Sequence, residues 1–214
     1  LISGLLPPEE GSILINGVPL LKSQCRIGYM LQSDQLFEWR TIIQNAALGL
    51  EIQKKMDHAA EDRLHRLLKL YGLEQFEHSR PSELSGGMRQ RAALIRTLAL
   101  EPELLLLDEP FSALDYQTRL TVCDDISTII LESRKTAILI THDLSEAVSA
   151  AARILVLTKR PGTICRILPV TFPLSANRPL ERRNDPAFSL YFNELWKTCL
   201  LYTSDAADER SSVD

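Results

Sequence analysis

The segment Leu104-Leu105-Leu106-Leu107-Asp108-Glu109-Pro110 predicts a strand buried on both faces, because consecutive apolar residues are typical of inner strands in parallel sheets. Asp108 and Glu109 would follow at the carboxyl end of this strand, where open α/β sheets bind their ligands. One helix's length earlier, Leu84-Ser85-Gly86-Gly87-Met88-Arg89-Gln90-Arg91 would begin a helix without side-chain bulk. Bare backbone N–H groups at a helix start favour a bound phosphate. Together the two segments indicate an α/β protein with a phosphate-binding site.

The composition indicates a globular protein with neither a nucleic-acid site nor a membrane span. The 214 residues are 45% hydrophobic, which supplies a sizeable core, and the net charge of -4 provides no basic field for nucleic acid. No apolar stretch approaches the about 18 residues that cross a bilayer, so association with a membrane would require a partner. The cysteines lie far apart, at spacings that suit neither zinc ligands nor a disulfide framework.

The residues before position 104 predict two strands and a long helical insert. Gly11 to Ile15 is an apolar run that ends in an Asn-Gly turn, and Arg26 to Leu31 is a second apolar run. The residues from about Thr41 to Leu100 form the insert, which we expect to be entirely helical. Within it, apolar residues between Asp57 and Tyr71 recur at helical spacing, which predicts an amphipathic helix.

From position 104 onward, strands and helices alternate, which predicts a parallel sheet with right-handed crossovers. The predicted elements are strand Leu104 to Leu107, helix Tyr116 to Glu132, strand Thr136 to Ile140, helix Leu144 to Ala151 and strand Ile154 to Leu157. A turn at Pro161-Gly162 would then fold a final hairpin from Leu155 towards Ile167.

These motifs, in this order, resemble the ATPase of an ABC transporter. The resemblance extends over nearly all of residues 1–197. It implies an α/β P-loop NTPase domain of the ABC type, with a parallel sheet core and an all-helical subdomain at about residues 41–100, and it implies ATP and Mg²⁺ as ligands. Residues 198–214 resemble the translation of a transposon-derived sequencing adapter instead, and we expect them to be a non-native tail.

The resemblance assigns catalysis to Gln32, Glu109 and His142. Glu109 would act as general base or orient the attacking water, while Asp108 would hold Mg²⁺ through water. Gln32 resembles the family's glutamine loop, whose side chain meets Mg²⁺ and the attacking water. His142 resembles the switch histidine that contacts the γ-phosphate. Outside these motifs, adjacent acids could merely cap a loop, a glutamine at a strand end is usually a surface residue, and a lone histidine is more often structural.

The resemblance places the γ-phosphate of ATP on Ser85, Gly86, Gly87 and Gln90, which match the family's signature motif. That ATP would be held by the opposite subunit, so the implied assembly is a head-to-tail homodimer with two ATPs between signature and P-loop. Asp115, at the end of a Ser-Ala-Leu-Asp run, resembles the D-loop that crosses this interface. Ser-Gly-Gly also begins helices that bind nothing, and Asp115 could simply cap the helix that follows.

Leu36-Phe37-Glu38-Trp39-Arg40-Thr41-Ile42 resembles the Leu-x-Pro-Trp-x-Thr-Val stretch of importers for nitrate, sulfonates, taurine and related small solutes, although Glu38 stands where proline is usual. The implied protein is the nucleotide-binding subunit of a bacterial importer at the cytoplasmic face of the cell membrane. Transmembrane permease subunits would contact the region from Gln32 to Thr41. A periplasmic or lipid-anchored solute-binding protein would act indirectly. Phe37 and Trp39 could instead be core aromatics of the insert.

A P-loop, Gly-x-x-x-x-Gly-Lys-Ser/Thr, does not occur in the 214 residues. Leu1 to Pro7 is typical of the last turn of a helix with Gly4 as its cap, so we expect an N-terminal truncation with the P-loop upstream. We also expect little ATPase activity in the chain as given. Two alternatives remain open: a soluble ABC-type ATPase of ribosome or DNA-repair type, and a regulatory module that binds ATP without hydrolysing it.

Overall fold

The computed structural model describes residues 1–159 and 162–208, with residues 202–208 as backbone only. The chain forms two compact units, residues 1–122 with 129–140, and residues 123–128 with those described from 141 onward. Pro161, in the expected Pro161-Gly162 turn, lies outside the described residues. No helix within the described ranges is long and apolar enough to span a membrane.

The strands and helices follow the chain in the order that the sequence predicts. The strands are β1 (Leu14–Ile15), β2 (Val18–Pro19), β3 (Ile27–Met30), β4 (Leu104–Asp108), β5 (Thr136–Ile140), β6 (Arg153–Leu157) and β7 (Ile164–Pro169). The helices are α1 (Ile42–Ile52), α2 (His58–Leu70), α3 (Gly86–Leu98), α4 (Tyr116–Glu132), α5 (Leu144–Ala150), α6 (Pro179–Asn184) and α7 (Pro186–Asp208). The predicted bounds of β5 and α4 are confirmed to the residue, and those of the other predicted elements within a few residues.

The first unit is built around a three-stranded parallel sheet in the order β3-β4-β5. Its register brings the carboxyl ends together, with Leu107 opposite Met30 and Asp108 opposite Ile140. The leucines of β4 are at most 9% exposed, which confirms the prediction of a strand buried on both faces. Residues that follow β3 and β4 in the chain therefore emerge side by side at one edge of the sheet.

The residues from 41 to 100 form helices in the structure and no strand. α1 begins at a capping box, in which the Thr41 amide donates to Oε1 of Gln44 at 2.9 Å and the Gln44 amide donates to Oγ1 of Thr41 at 3.4 Å. Helix α2 has Leu64 and Leu68 fully buried on one side, as its amphipathic pattern predicts. Helix α1 packs against both α2 and α3.

Helix α3 lies directly against β3 because β3 has a glycine at the contact. A Cβ atom at Gly28 would lie 2.7 Å from Cγ2 of Thr97 and 2.9 Å from Cγ of Pro102. The Thr97 hydroxyl donates to the carbonyl oxygen of Ala93 at 3.0 Å, which holds that side chain in place. Close packing at Gly28 thus fixes the position of α3, the helix that begins with Gly86-Gly87, against the sheet.

The second unit corrects one prediction. The sequence analysis placed Ile154 to Leu157 in the parallel sheet, but among the described residues that sheet consists of β3, β4 and β5, and β6 pairs with β7 in a separate antiparallel sheet. Ile154 and Val156 are buried and the residues beside them exposed, which is typical of a sheet with one buried face. All four residues are apolar, so the sequence does not reveal this alternation. The expected pairing of Leu155 with Ile167 is confirmed.

Helices α5 and α7 supply the remainder of the core in the second unit. The buried residues of this core are Val148, Ile154, Val156, Leu168, Val170 and Leu195. Helix α7 continues through residues 198–208, which belong to the segment that the sequence analysis expects to be a non-native tail. The origin of that segment stays a prediction.

Candidate nucleotide site

Gln32 and Glu109 meet at the carboxyl edge of the parallel sheet, although they are 77 positions apart in the chain. The Nε2 atom of Gln32 donates to Oε2 of Glu109 at 3.1 Å and to Oγ of Ser112 at 3.4 Å. The Ser112 hydroxyl in turn donates to the carbonyl oxygen of Glu109 at 3.0 Å. The amide of Gln32 therefore connects the end of β3 with the turn that follows β4.

Glu109 leaves the strand in a left-handed backbone conformation. Its φ is 44°, which costs a residue with a Cβ atom about 1–3 kcal/mol. The Glu109 amide still donates to the carbonyl oxygen of Ile140 at 2.9 Å, and the Ser112 amide donates to that of Glu109 at 3.2 Å. These bonds hold the residue in place while the chain turns. Backbone strain of this kind is concentrated at functional sites and favours a chemical role for Glu109.

Asp108 ends β4 beside the phenol of Tyr29, which comes from the neighbouring strand. The Tyr29 hydroxyl donates to Oδ2 of Asp108 at 3.0 Å. This hydrogen bond, with burial and the charge of Asp108, raises the pKa of the Tyr29 phenol, which therefore remains a donor at neutral pH. The sequence analysis missed Tyr29. The sequence feature that could have identified it is a tyrosine hydroxyl on the strand that leads to Gln32.

Ser85 is the N-cap of α3, so the motif assigned to ATP does begin a helix. Its Oγ accepts a long hydrogen bond from the amide of Met88, at 3.4 Å. Ser85 and Gly86 are exposed, whereas Gly87 is buried. The N–H groups of the first turn have no acceptor within their own helix, and an anion that approaches Ser85 and Gly86 could accept from them.

Both glycines of this motif lie against the segment that carries Asp115. A Cβ atom at Gly87 would lie 2.8 Å from Cγ2 of Thr118 and 3.1 Å from Cγ2 of Val122, and one at Gly86 would lie 3.2 Å from Cδ2 of Leu114. Gly87 therefore has a packing role between α3 and α4. The start of α3 and the D-loop-like segment are neighbours in the structure.

Gln90 and Asp115 were both assigned to nucleotide binding; Gln90 is buried, and Asp115 caps a helix. Gln90 is only 3% exposed, and its Oε1 has no hydrogen-bond partner among the described residues. Asp115 is the N-cap of α4, where it accepts from the Thr118 amide at 3.1 Å. Hydrogen bonds from Thr118 are the main cause that lowers the pKa of the Asp115 carboxyl. The capping role of Asp115 is thus observed, and its role at a dimer interface stays a prediction.

His142 lies in the second unit, two residues after β5, and is exposed. The next residue, Asp143, caps α5 by accepting from the amides of Ser145 at 2.7 Å and Glu146 at 3.2 Å. On the other side, Thr141 donates its hydroxyl to Oε2 of Glu146 at 2.6 Å. His142 therefore stands between two residues that are fixed by the start of α5. Its assignment to the γ-phosphate rests on the resemblance.

The segment from Gln32 to Thr41 is held by the buried amide of Asn45 in α1. The Oδ1 atom of Asn45 accepts from the Phe37 amide at 2.7 Å, and its Nδ2 donates to the carbonyl oxygens of Phe37, Arg40 and Thr41 at 3.1, 3.2 and 3.0 Å. Asn45 is 0% exposed. The sequence analysis did not single out Asn45, because a lone polar residue on a helix gives no signal until the loop that it binds is known.

Trp39 is exposed at the surface of this segment. Its ring stacks on Phe37 with centroids 4.7 Å apart, yet Trp39 remains 70% exposed. The interpretation of Trp39 as a core aromatic of the insert is therefore wrong. Exposed aromatic side chains are enriched at surfaces that bind other proteins, because they bury much area and lose little conformational freedom.

The oxygen atoms at the carboxyl edge of the sheet fit Mg²⁺. This ion is commonly held by one or two carboxylates together with the phosphates of a substrate. Asp108 supplies a carboxylate, and Gln32, whose Nε2 is engaged by Glu109, has its Oε1 for a second oxygen ligand. Within the described residues, no cluster of three or more His, Cys, Asp or Glu could hold a metal by itself. Phosphate oxygens would have to complete the coordination.

Carboxylates at the end of a buried parallel strand, with an amide donor beside them, are typical of nucleotide-hydrolysing α/β proteins, and the geometry above belongs to that class. The family model for ABC transporters matches residues 1–112. The chain belongs to the ATP-binding proteins of ABC transporters, which are ATPases.

Individual members of the family resemble the chain over most of its length. The uncharacterized ABC transporter ATP-binding protein YtlC of Bacillus subtilis is 45% identical over 197 residues, 92% of this chain and 76% of YtlC. The nitrate import ATP-binding protein NrtD of Synechocystis is 38% identical over 199 residues, 91% of this chain and 75% of NrtD. A solved dimer of the ATP-binding cassette MJ0796, in a post-hydrolysis state with ADP and Pi, is 28% identical with a TM-score of 0.64, covering 78% of this chain and 77% of that one.

We expect Gly87→Ala to reduce the free energy of unfolding. Overpacking against Thr118 and Val122 costs about 1–3 kcal/mol, while alanine regains at most about 1 kcal/mol of helix propensity. To turn its methyl group away, Thr118 would have to change χ1, a torsion that is restricted in β-branched residues. Thr118→Ser removes that methyl group, so it should restore part of the loss when combined with Gly87→Ala.

Urea unfolding of the two single variants and the double variant measures this effect, with Thr118→Ser alone as the control. A Gly87→Ala protein as stable as the wild type would show that α3 and α4 do not pack as closely as described.

Proposed function

We propose that this chain is the ATP-hydrolysing subunit of a bacterial ABC importer for a small solute such as nitrate, a sulfonate or taurine. The observation that carries the hydrolytic part is the hydrogen bond of Gln32 to Glu109, at 3.1 Å. It connects a carboxylate that can act on water with the segment that would face the permease. A module that bound ATP without hydrolysing it would not require Glu109 in this place.

Glu109 is the group that acts on water in this proposal. Its carboxylate would accept a hydrogen bond from the attacking water and orient it in line with the γ-phosphate. Gln32, which donates to Oε2 of Glu109, holds that carboxylate at the edge of the sheet. Asp108, oriented by the Tyr29 hydroxyl, and Oε1 of Gln32 would hold Mg²⁺, which neutralises phosphate charge when it is bound.

The phosphate-binding start of α3 would act on ATP held by a second copy of the chain. Ser85 and Gly86 are exposed and supply donors, and Gly87 allows the helix start to lie beside the segment of Asp115. The dimeric MJ0796 structure, which holds ADP and Pi, supports a dimer, and the head-to-tail arrangement is what the family resemblance implies. Gln90 is buried in this conformation and is left out of the proposed contact set.

His142 completes the proposed set of catalytic residues. Its place in the chain, shortly after a strand and directly before Asp143, matches the family's switch histidine and supports a role at the γ-phosphate. The residues that flank it are fixed by the start of α5. A histidine held on both sides in this way could report whether the terminal phosphate is present.

The segment from Gln32 to Thr41 would bind the permease at the cytoplasmic face of the membrane. Trp39 provides an exposed aromatic surface, and Asn45 fixes the backbone beneath it. The Leu36 to Ile42 resemblance and the similarity to the nitrate import ATP-binding protein NrtD support an importer of a small solute. Solute selectivity would lie in the permease and in a periplasmic or lipid-anchored binding protein. Residues 1–197 would form the ATPase domain, with residues 41–100 as its helical subdomain.

We expect Glu109→Gln to lower kcat for ATP hydrolysis by about 100-fold or more, because it removes a general base but keeps the shape of the side chain. ATP binding should persist, so that the ATP-bound dimer accumulates on gel filtration. Phosphate release would be measured on a chain that includes a P-loop. Glu103→Gln is the matched control, since Glu103 lies at the opposite end of β4 and pairs with Arg26 at the surface at 3.6 Å.

Equal turnover of the Glu109→Gln and Glu103→Gln proteins would contradict the assignment of Glu109.

We expect Trp39→Ala to weaken binding to the permease subunits about tenfold or more, since loss of an interface aromatic commonly costs more than 1 kcal/mol. The thermal unfolding midpoint should not change, because Trp39 is mostly exposed. Trp196→Ala, which removes a half-exposed tryptophan from α7, is the control. Co-purification with the tagged permease measures the effect, and equal recovery of all three proteins would count against this docking surface.

A further inference from the structure

We propose that Arg89 is a positioning residue that couples the segment from Gln32 to Thr41 to the phosphate-binding start of α3, through the carboxylates of Asp34 and Glu38. The inference rests on the proposed function and assigns a coupling route within the same site. None of these three residues belongs to the catalytic or ATP-binding set above.

Arg89 makes three charge-assisted hydrogen bonds to this segment. Its Nε donates to Oδ2 of Asp34 at 2.8 Å, and its Nη2 donates to Oδ1 of Asp34 at 3.3 Å and to Oε1 of Glu38 at 2.8 Å. The guanidinium thus binds Asp34 in the two-pronged geometry that makes arginine pairs strong and directional. Arg89 lies in the first turns of α3, one turn after Ser85. If either carboxylate moves, Arg89 would therefore move with it and shift the end of the helix that would bind phosphate.

Arg89 and Asp34 form a partly buried pair of opposite charges. Burial by itself would raise the pKa of the Asp34 carboxyl. Hydrogen bonds from Arg89 and from the Leu36 amide have the opposite effect, and the net result is that this pKa lies below its ordinary value. The hydrogen bond to Asp34 raises the pKa of Arg89. The side chains of Arg89 and Asp34 are only 25% and 19% exposed, so water screens their attraction less than that of a surface pair.

A second arginine joins the same segment to α3 two turns further along. The Nη1 and Nη2 atoms of Arg96 donate to the carbonyl oxygens of Gln35 and Asp34, each at 2.6 Å. Arg89 and Arg96 are seven positions apart and share one face of the helix. Helix α3 therefore binds the segment through two arginines, and Arg89 is the one nearer its phosphate-binding end.

Glu38 is the part of this cluster that responds to a partner. Its side chain is 53% exposed, and its neighbour Trp39 is 70% exposed. A permease element that covers Trp39 would remove water from the Glu38–Arg89 pair and so strengthen its electrostatic interaction. Glu38 stands where the resembling importers have proline, which offers no carboxylate. The departure from the usual pattern thus adds a contact between the docking surface and α3.

The test is a double-mutant cycle with Glu38→Gln and Arg89→Gln in the complete importer. The measured quantity is the ratio of kcat with permease and solute-binding protein to kcat of the ATPase subunit alone. Each single variant should lower this ratio about fivefold or more, the lower end of typical coupling between sites. The double variant should be no worse than Arg89→Gln alone, because Arg89→Gln already removes the contact with Glu38.

Glu51→Gln is the matched control. Arg40 pairs with Glu51 through both carboxylate oxygens at 2.7 Å, with comparable exposure, but this pair joins the segment to α1 instead of α3. The proposal predicts that Glu51→Gln retains the wild-type ratio. A fall of the same size in Glu51→Gln, wild-type ratios in both cluster variants, or strictly additive losses would overturn it.

Amide hydrogen exchange of the isolated subunit separates this inference from the proposed function. Glu38→Gln should accelerate exchange at residues 86–89, and Glu51→Gln should not. Exchange unchanged by Glu38→Gln would overturn the link through Arg89 whatever the transport result. A wild-type complex that shows no permease-stimulated hydrolysis would instead overturn the proposed function, while accelerated exchange would still support the contact between segment and helix.

Discussion

The burial of β4 between two parallel neighbours is the constraint on which the rest of the structure depends. Each of its leucines is at most 9% exposed, and burying one leucine contributes about 1.5–3 kcal/mol. Both edges of β4 are paired, to β3 and to β5. If β4 slipped by one residue, its hydrogen-bonded register with both β3 and β5 would change. Because the register is fixed, Gln32, Asp108 and Glu109 have to emerge at one edge.

The same rigidity allows the strained backbone of Glu109. A left-handed glutamate costs about 1–3 kcal/mol, which is small beside the burial of β4, and its amide is still bonded to Ile140. Helix α3 is fixed by comparable means, since glycines at positions 28 and 87 let it approach β3 and α4 closely. The segment after Gln32 is different, because it is held mainly by polar side chains such as Asn45 and Arg89. Polar contacts can exchange partners at lower cost than a packed core, which suits a segment that would respond to another subunit.

The sequence predicted the elements whose pattern is local. Four consecutive leucines predict a buried strand, and the periodicity of Asp57 to Tyr71 predicts an amphipathic helix. Both β4 and α2 were therefore predicted correctly. The hairpin of β6 with β7 was predicted correctly, but the placement of β6 in the parallel sheet was wrong, because its run of apolar residues conceals an alternating burial. Of the site, the family resemblance assigned Gln32 and Glu109 to the same attacking water, and the structure shows the hydrogen bond between them. Tyr29 and Arg89 were missed because their partners, Asp108 and Asp34, are 79 and 55 positions away.

In the proposed function, this edge of the sheet is half of a site, which α3 of a second subunit would complete. The most direct test is the rate of ATP hydrolysis per subunit as a function of protein concentration, on a chain that includes a P-loop. We expect this rate to be close to zero when the protein is monomeric and to rise to a plateau as dimers form. A rate per subunit that stays constant down to concentrations at which sedimentation shows only monomers would contradict it.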